Sequence, residues 1–230
     1  MADVSCNKFS PETFLSKTYL KDTSHTSARA VSMPGGIYLD LNFNIGHFSW
    51  KTFSAEKIIG SLTYKPRILN FKSIRLNSLD GTMSGSGFLV QNKDRSFISR
   101  GSFDLEKLNI NKSFTAFQNF GQDFIKAENL AGSLSGTLSV LLPMDSLMHP
   151  VIKSITAEGS YLLTDGVLKD FEPIKELSSF IELAELENIS FKQIENDFFI
   201  RNNFLFVPLM DVKSSAADLS INGKHSFDNT

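Results

Sequence analysis

The chain has 230 residues, room for one large all-β domain or two small ones, and its 41% hydrophobic and 21% charged residues exclude wholesale disorder. A net charge of −2 provides no basic footprint for nucleic acid, and a single cysteine, Cys6, excludes an intrachain disulfide and a cysteine-based metal site. Among the aromatics, 21 Phe stand against 4 Tyr and 1 Trp, a bias toward apolar cores and surfaces rather than the amphipathic platforms of polar recognition.

In chain order, residues 1–34 are polar and without a sustained period, apart from a short helix candidate at 14–20. Val4-Ser5-Cys6 lacks the apolar run that precedes a lipoprotein processing site. Ile37, Leu39, Leu41, Phe43 and Ile45 then alternate with Tyr38, Asp40, Asn42, Asn44 and Gly46, the period-two pattern of a half-buried strand. Strands follow at 57–64 and 68–79. In the second, Leu69 and Phe71 are out of phase with Ile74 and Leu76, which predicts a bulge near Ser73. Asp80-Gly81 is a hairpin signal, and strands at 82–90 and 96–105 flank the polar loop 91–95.

Phe114, Phe117, Phe120, Phe124 and Ile125 fall in one arc of a helix that Ser113 would cap. Strands resume at 134–142. Pro143 and Pro150 bracket a loop, and a strand at 152–164 runs into Asp165-Gly166, read as a second hairpin turn. A second helix starts from Asp170 as N-cap with Pro173 in its first turn and Phe171, Ile174, Leu177 and Ile181 as its apolar face. Short strands at 189–194, 197–207, 209–213 and 218–221 complete the pattern, with Asn222-Gly223 as a turn. The stretches 79–87 and 130–138 resemble each other as small-residue strands after a turn, which suggests repeated β units in an elongated array. The fold class expected is mainly β with two short helices, a curved antiparallel sheet forming an elongated open groove. Residues 1–36 form a polar or irregular N-terminal segment, and 37–230 a β-rich region cut short at its C-terminal end.

No constellation of catalytic type emerges. His25, His47, His149 and His225 are scattered without a paired spacing, so no metal site is expected. Asp80 and Asp165 read as turn residues rather than paired glycosidase carboxylates. Glu182, Glu185 and Glu187 lack the alternation and glycine of a calcium loop. Gly81-Thr-Met-Ser-Gly-Ser-Gly87 has no Lys-Ser/Thr and leads into a strand, so it does not cradle phosphate. No catalytic residue, metal or cofactor is expected. What remains is apolar area: Phe114, Phe117 and Phe124 on the first helix, and Ile37, Leu39, Leu41, Phe43 and Ile45 on the strand. Each set is either core or a surface that meets acyl chains.

A run of features from Ala157 onward resembles the C-terminal region of AsmA-like proteins. They are Ala157-Glu-Gly-Ser-Tyr-Leu-Leu-Thr-Asp-Gly-Val-Leu168, Phe171-Glu-Pro-Ile174, Leu186-Glu-Asn-Ile-Ser-Phe191, Phe198-Phe-Ile-Arg-Asn-Asn203, Val207-Pro-Leu-Met210 and Ser214 to Asp228. The form is the one common in Bacteroidetes and is related to TamB and the bridge-like lipid transfer proteins. The resemblance implies a non-enzymatic periplasmic β-groove, attached to the inner membrane by an anchor outside this sequence. Its partners would be phospholipid acyl chains and outer-membrane components, in phospholipid transport or outer-membrane assembly, with no nucleic acid. It supplies no catalytic residue. The abrupt end after a strand start reads as a cut inside a longer protein. The competing expectations are a carbohydrate- or protein-binding all-β domain, which would use Trp50, an enzyme depending on Asp165, and a structural spacer.

Overall fold

The computed structural model describes residues 2–11, 30–172 and 187–227. These form one open sheet of eleven strands in sequence order: β1 (Ala2–Phe9), β2 (Leu39–Trp50), β3 (Phe53–Lys65), β4 (Ile68–Ser78), β5 (Gly81–Gln91), β6 (Phe97–Asn109), β7 (Leu130–Met144), β8 (Thr156–Lys169), β9 (Asn188–Arg201), β10 (Phe204–Lys213) and β11 (Asp218–Ser226). The sheet is mostly antiparallel and the fold mainly β, as the periodicity predicts. The one α-helix among the described residues is α1 (Ile110–Ala116), with three short 3-10 turns. No described helix is long and apolar enough to cross a membrane. The second expected helix, from Asp170 as N-cap through Ile181, lies outside the described residues beyond Glu172, and the helix candidate at 14–20 lies outside them entirely.

The N-terminal polar stretch is not irregular throughout. Ala2–Phe9 forms β1, paired in parallel with β2 from Ala2 opposite Leu41 to Phe9 opposite Phe48. Ala2, Val4 and Cys6 alternate with Asp3, Ser5 and Asn7, but the run is short and its apolar residues are small, so pairing with the β2 edge does most to make it a strand.

Turns depart from the Asp-Gly and Asn-Gly signals. The β4–β5 turn is Leu79-Asp80, one residue earlier than Asp80-Gly81, with both central residues left-handed (φ 53° and 66°) as a two-residue hairpin requires. Residues 197–207, expected as one strand, are broken by a second such turn at Asn202-Asn203 (φ 53° and 64°). Asparagine tolerates this region because its short polar side chain bonds locally. Asp165-Gly166 is no turn: both residues lie inside β8. Asn222-Gly223 likewise lies inside β11.

Two compact units divide the chain. The first comprises Met1–Ser78, Met83–Phe103 and Ser139–Thr156. Here the register aligns Leu41, Leu62 and Phe71 across β2, β3 and β4, and next to them Phe43, Gly60 and Ile74. Facing pairs share a side of the sheet, so one side is apolar. The other carries Asn42, Ser61 and Ser73. The predicted bulge near Ser73 is present: Ser61 pairs with Ser73 but Leu62 with Phe71, leaving Lys72 as the extra residue. Lys72 extends to Asp40 at 2.9 Å. A second irregularity has no signal in the sequence. Lys57 is left-handed (φ 50°) and unpaired opposite Gly46, while Ile45–Ile58 and His47–Glu56 keep register on either side. Both strands therefore change phase together, and Ile58 and Ala55 are both buried although an odd number of residues apart.

One edge of this unit is fastened by a polar clamp. The buried Gln91 amide accepts from Met33 N–H and donates to Val31 C=O, each at 2.8 Å. Tyr64 Oη donates to Pro34 C=O at 2.6 Å, and Val31 N–H donates to Ser146 C=O. Ser146 belongs to the loop between Pro143 and Pro150. Asp145 shapes that loop by accepting from His149 and Leu147 N–H, which holds its carboxyl below the usual range.

The second unit comprises Leu79–Thr82, Asp104–Leu138 and Ala157–Thr230. Its core is Ile110, Leu130, Leu163 and Phe191, with Phe114, Ile125, Leu134, Leu168 and Ile194 packed around it. In β9 the inward positions are Ile189 and Phe191, then Ile194, Asn196, Phe198 and Ile200. The phase slips where Asp165 of β8 turns left-handed (φ 51°), the same device as at Lys57. Phe191 lies across Gly166 in the neighbouring strand, and Phe43 of the first unit lies across Gly60 in the same way. Such rings shield a glycine backbone from water. At these two places a Cβ on the glycine would collide with the ring.

Candidate functional site: the apolar face of β2 to β4

Of the five strand residues singled out in the sequence, the structure brings four together. Leu39, Leu41, Phe43 and Ile45 share one side of β2, facing Tyr64, Leu62, Gly60 and Ile58 of β3. Ile37 precedes the strand and is exposed. Leu39 keeps 47% of its surface, while Leu41, Phe43 and Ile45 are half-buried. Phe43 meets Phe71 of β4 edge to face, with ring centroids 6.3 Å apart, a favoured aromatic geometry. Because every described strand belongs to the one sheet, no second sheet among the described residues closes over this side.

Leu62, Phe71 and Ile58 complete this surface, although the sequence does not single them out as site residues. The spacing Ile58, Gly60, Leu62, Tyr64 does carry a period-two signal, but the glycine in it masks the alternation. Gly60 is required: a Cβ there would stand 2.5 Å from Phe43 Cζ.

The opposite side of the same strands is mainly polar, with Ile59 exposed on it. An open depression of about 500 Å³ is lined by Asn42, Ser61, Ser73, Arg75 and Ser84 together with Phe43, Ile59, Ile74, Gly60 and Gly85, so its lining is mixed. Asn42 Nδ2 donates to Asp3 Oδ1 at 2.9 Å, and the Ser61 and Ser73 hydroxyls lie 3.2 Å apart. One side apolar and one polar is the ordinary pattern of an antiparallel sheet whose apolar side is covered. Here that side is only half covered.

The phenylalanine arc is not one helical face. Asn109, not Ser113, caps α1: its side chain accepts from Lys112 N–H at 3.1 Å, and the Ser113 hydroxyl donates back to Asn109 C=O at 2.8 Å. The helix stops at Ala116, and Gln118, Asn119 and Phe120 follow in left-handed conformation (φ 52°, 53° and 55°). The buried Gln122 side chain holds this turn, accepting from Ile125 N–H and donating to the carbonyls of Asn119 and Ile125. The aromatic residues therefore fall into two groups. Phe114 packs on the core and meets Phe120 edge to face, with centroids 5.1 Å apart. Phe117 stacks on Phe120 with centroids 5.5 Å apart and is 43% exposed. Phe124 turns to Phe171 and His225, at 5.2 and 5.1 Å. Of the three candidate acyl-facing residues, Phe114 and Phe117 thus both meet Phe120, while Phe124 packs with other partners.

Charged groups are sparse and local. Lys112 Nζ reaches Asp80 Oδ1 at 2.6 Å, and its hydrogen bond, with that of Asn109, lowers the Asp80 carboxyl below its usual value. Asp94 is lowered by hydrogen bonds from the Ser96 side chain and backbone. Burial pushes the Tyr161 phenol up, and its hydroxyl donates to Met210 Sδ at 3.5 Å. Asp165 is exposed in β8, and Trp50 is exposed beside Lys51 at the β2–β3 turn. Among the described residues no three His, Cys, Asp or Glu side chains gather into a group that could hold a metal. His25, Glu182 and Glu185 lie outside them.

No protein-family model, no curated protein and no solved structure matches this chain.

Proposed function

We propose that this protein is a non-enzymatic β segment that shields lipid acyl chains on the apolar side of β2–β4. In the setting implied by its AsmA-like features, it would act in the periplasm between inner and outer membranes. The observation that carries the reading is the apolar side from Leu39, Leu41, Phe43 and Ile45 across Leu62 to Phe71, left partly exposed beside the buried Ile58. An exposed apolar area of this kind marks an interaction site. An acyl chain laid along it gains about 0.8 kcal/mol for each methylene removed from water. No proton transfer or covalent step is required, so the surface needs apolar breadth rather than one indispensable side chain.

The test is native mass spectrometry of the protein after exposure to phosphatidylethanolamine–phosphatidylglycerol vesicles. Photocrosslinking from a benzophenone at position 62 provides a second readout. Leu39→Asp, Leu41→Asp and Phe43→Asp together should abolish both bound phospholipid and crosslinking. A folded triple variant, by circular dichroism, that crosslinks like the wild type would refute the assignment. Glycan binding lost on Trp50→Ala would instead favour the carbohydrate-binding alternative.

A further inference from the structure

The turn between β2 and β3 carries the only tryptophan of the chain. Trp50 faces Phe53 across the two-residue turn Lys51-Thr52, where Lys51 is left-handed (φ 52°), and Trp50 keeps 51% of its surface. Lys51 Nζ lies 5.8 Å from the centroid of the indole. Phenylalanines stand behind this tip: Phe48 meets Phe53 at 6.3 Å and Phe9 of β1 at 6.1 Å between centroids. The Ser78 hydroxyl donates to Ser54 C=O and ties the base of the hairpin to β4. Because β2 and β3 change phase together at Gly46 and Lys57, the side that carries Leu41, Phe43 and Ile45 carries Phe48 and Trp50 nearer the turn. The tip is the end of the same apolar side.

We propose that the β2–β3 tip docks on the surface of a phospholipid bilayer, with Trp50 at headgroup level and Lys51 among anionic headgroups. Three observations select this occupant. The first is chemistry: an indole pairs a large apolar ring with one N–H donor and suits the membrane–water boundary, while a lysine stem lies along apolar surface and its ammonium reaches for phosphate. The second is charge. Lys51 is the only charged residue from Phe48 to Ala55, so the tip is positive and complements an anionic surface. Glu56, the next acid along β3, meets His47 at 3.8 Å. The third is continuity. A two-residue turn projects, whereas small ligands are held in concave sites, and the apolar side begins directly behind this projection. A docked tip gives an acyl chain a short path from the bilayer onto Phe48, Ile45 and Phe43. This third point rests on the acyl-shielding function proposed above; the first two do not. One indole and one ammonium make the attachment weak and reversible.

Trp50 is its own probe, since all tryptophan emission comes from the tip. The full chain is titrated with phosphatidylethanolamine–phosphatidylglycerol vesicles while that emission is recorded. Docking predicts a blue shift, and stronger quenching by phospholipids brominated near the glycerol than by those brominated at the chain ends. Lys51→Gln should weaken binding to these vesicles about fivefold and leave binding to pure phosphatidylcholine vesicles unchanged. An unshifted spectrum at saturating lipid, or a shift without bromine quenching, would overturn the proposal. A shift given by soluble oligosaccharides and not by vesicles would overturn it in favour of sugar binding. The folded Leu39→Asp, Leu41→Asp, Phe43→Asp variant separates docking from acyl shielding, because it keeps the tip. It should retain the shift while losing the crosslink at position 62. Loss of the shift in that variant would mean that Trp50 responds to lipid on the apolar side, and would overturn docking by the tip. A wild-type chain that shifts but does not crosslink refutes acyl shielding and leaves the docking in place.

Discussion

Gly166 and Phe191 offer the sharpest test of how this sheet is packed. A methyl at Gly166 would overlap Cε2 and Cζ of the Phe191 ring and stand 2.7 Å from Cδ2. The Gly166 backbone is not left-handed, so alanine is conformationally allowed there, and the three atoms nearest the new methyl all belong to the ring. Phe191 is 8% exposed and hemmed by Ile110, Leu130 and Leu163, so it has little room to swing aside. Gly166→Ala should therefore destabilise by about 1–3 kcal/mol, the range for overpacking. Phe191→Ala removes a nearly buried ring and should cost about 3–5 kcal/mol. In the double variant the new methyl enters the vacated space. The pair should then cost no more than Phe191→Ala alone, a coupling of about 1–3 kcal/mol against additivity. Native-state hydrogen exchange of the β8 and β9 amides reads this locally, and urea titration followed by circular dichroism reads it globally. Additivity within about 0.5 kcal/mol would show that the ring and the glycine do not touch, and glycine shielding by Phe191 would be refuted.

Gln91→Ala should cost about 2–3 kcal/mol and expose residues 30–34 to limited proteolysis, because it strips partners from Met33 N–H and Val31 C=O. Asn109→Ala removes the α1 cap and a hydrogen-bond donor to Asp80 and should lower stability by about 1 kcal/mol in a thermal melt. Asp80, Asp94 and Asp145 are all held below the ordinary carboxylate value of 3.8 by hydrogen bonds. Their stabilisation is complete above that value and is lost as pH falls through their lower folded-state values. The melting temperature should thus fall below about pH 4, and Asp80→Asn should flatten part of that fall.

Much of the sheet is legible in the sequence. Strict alternation at Leu39 to Ile45 marks β2 and its apolar side, because a half-buried strand cannot hide a period of two. The phase slip between Phe71 and Ile74 marks the bulge at Lys72. The phenylalanine arc misleads. A 3.6-residue spacing shows which residues could share a helix face, but the buried Gln122 side chain and the left-handed run at Gln118–Phe120 end α1 before the arc is complete. Asp165-Gly166 misleads for a related reason. The residues that suit a turn also suit a left-handed bulge, and only the partner strand decides between them.

Local periodicity and composition thus suffice for strand character and for the apolar side of β2. Three features come only with the folded sheet: which strands carry left-handed residues, the conversion of a polar N-terminal stretch into β1, and the placing of glycines beneath phenylalanine rings. Each depends on a neighbouring strand that no local pattern encodes. The degree of cover over the apolar side is also a tertiary matter. A half-buried strand reads the same in sequence whatever lies against it, and only the folded structure leaves Leu39 half exposed while it buries Ile58 on the same side.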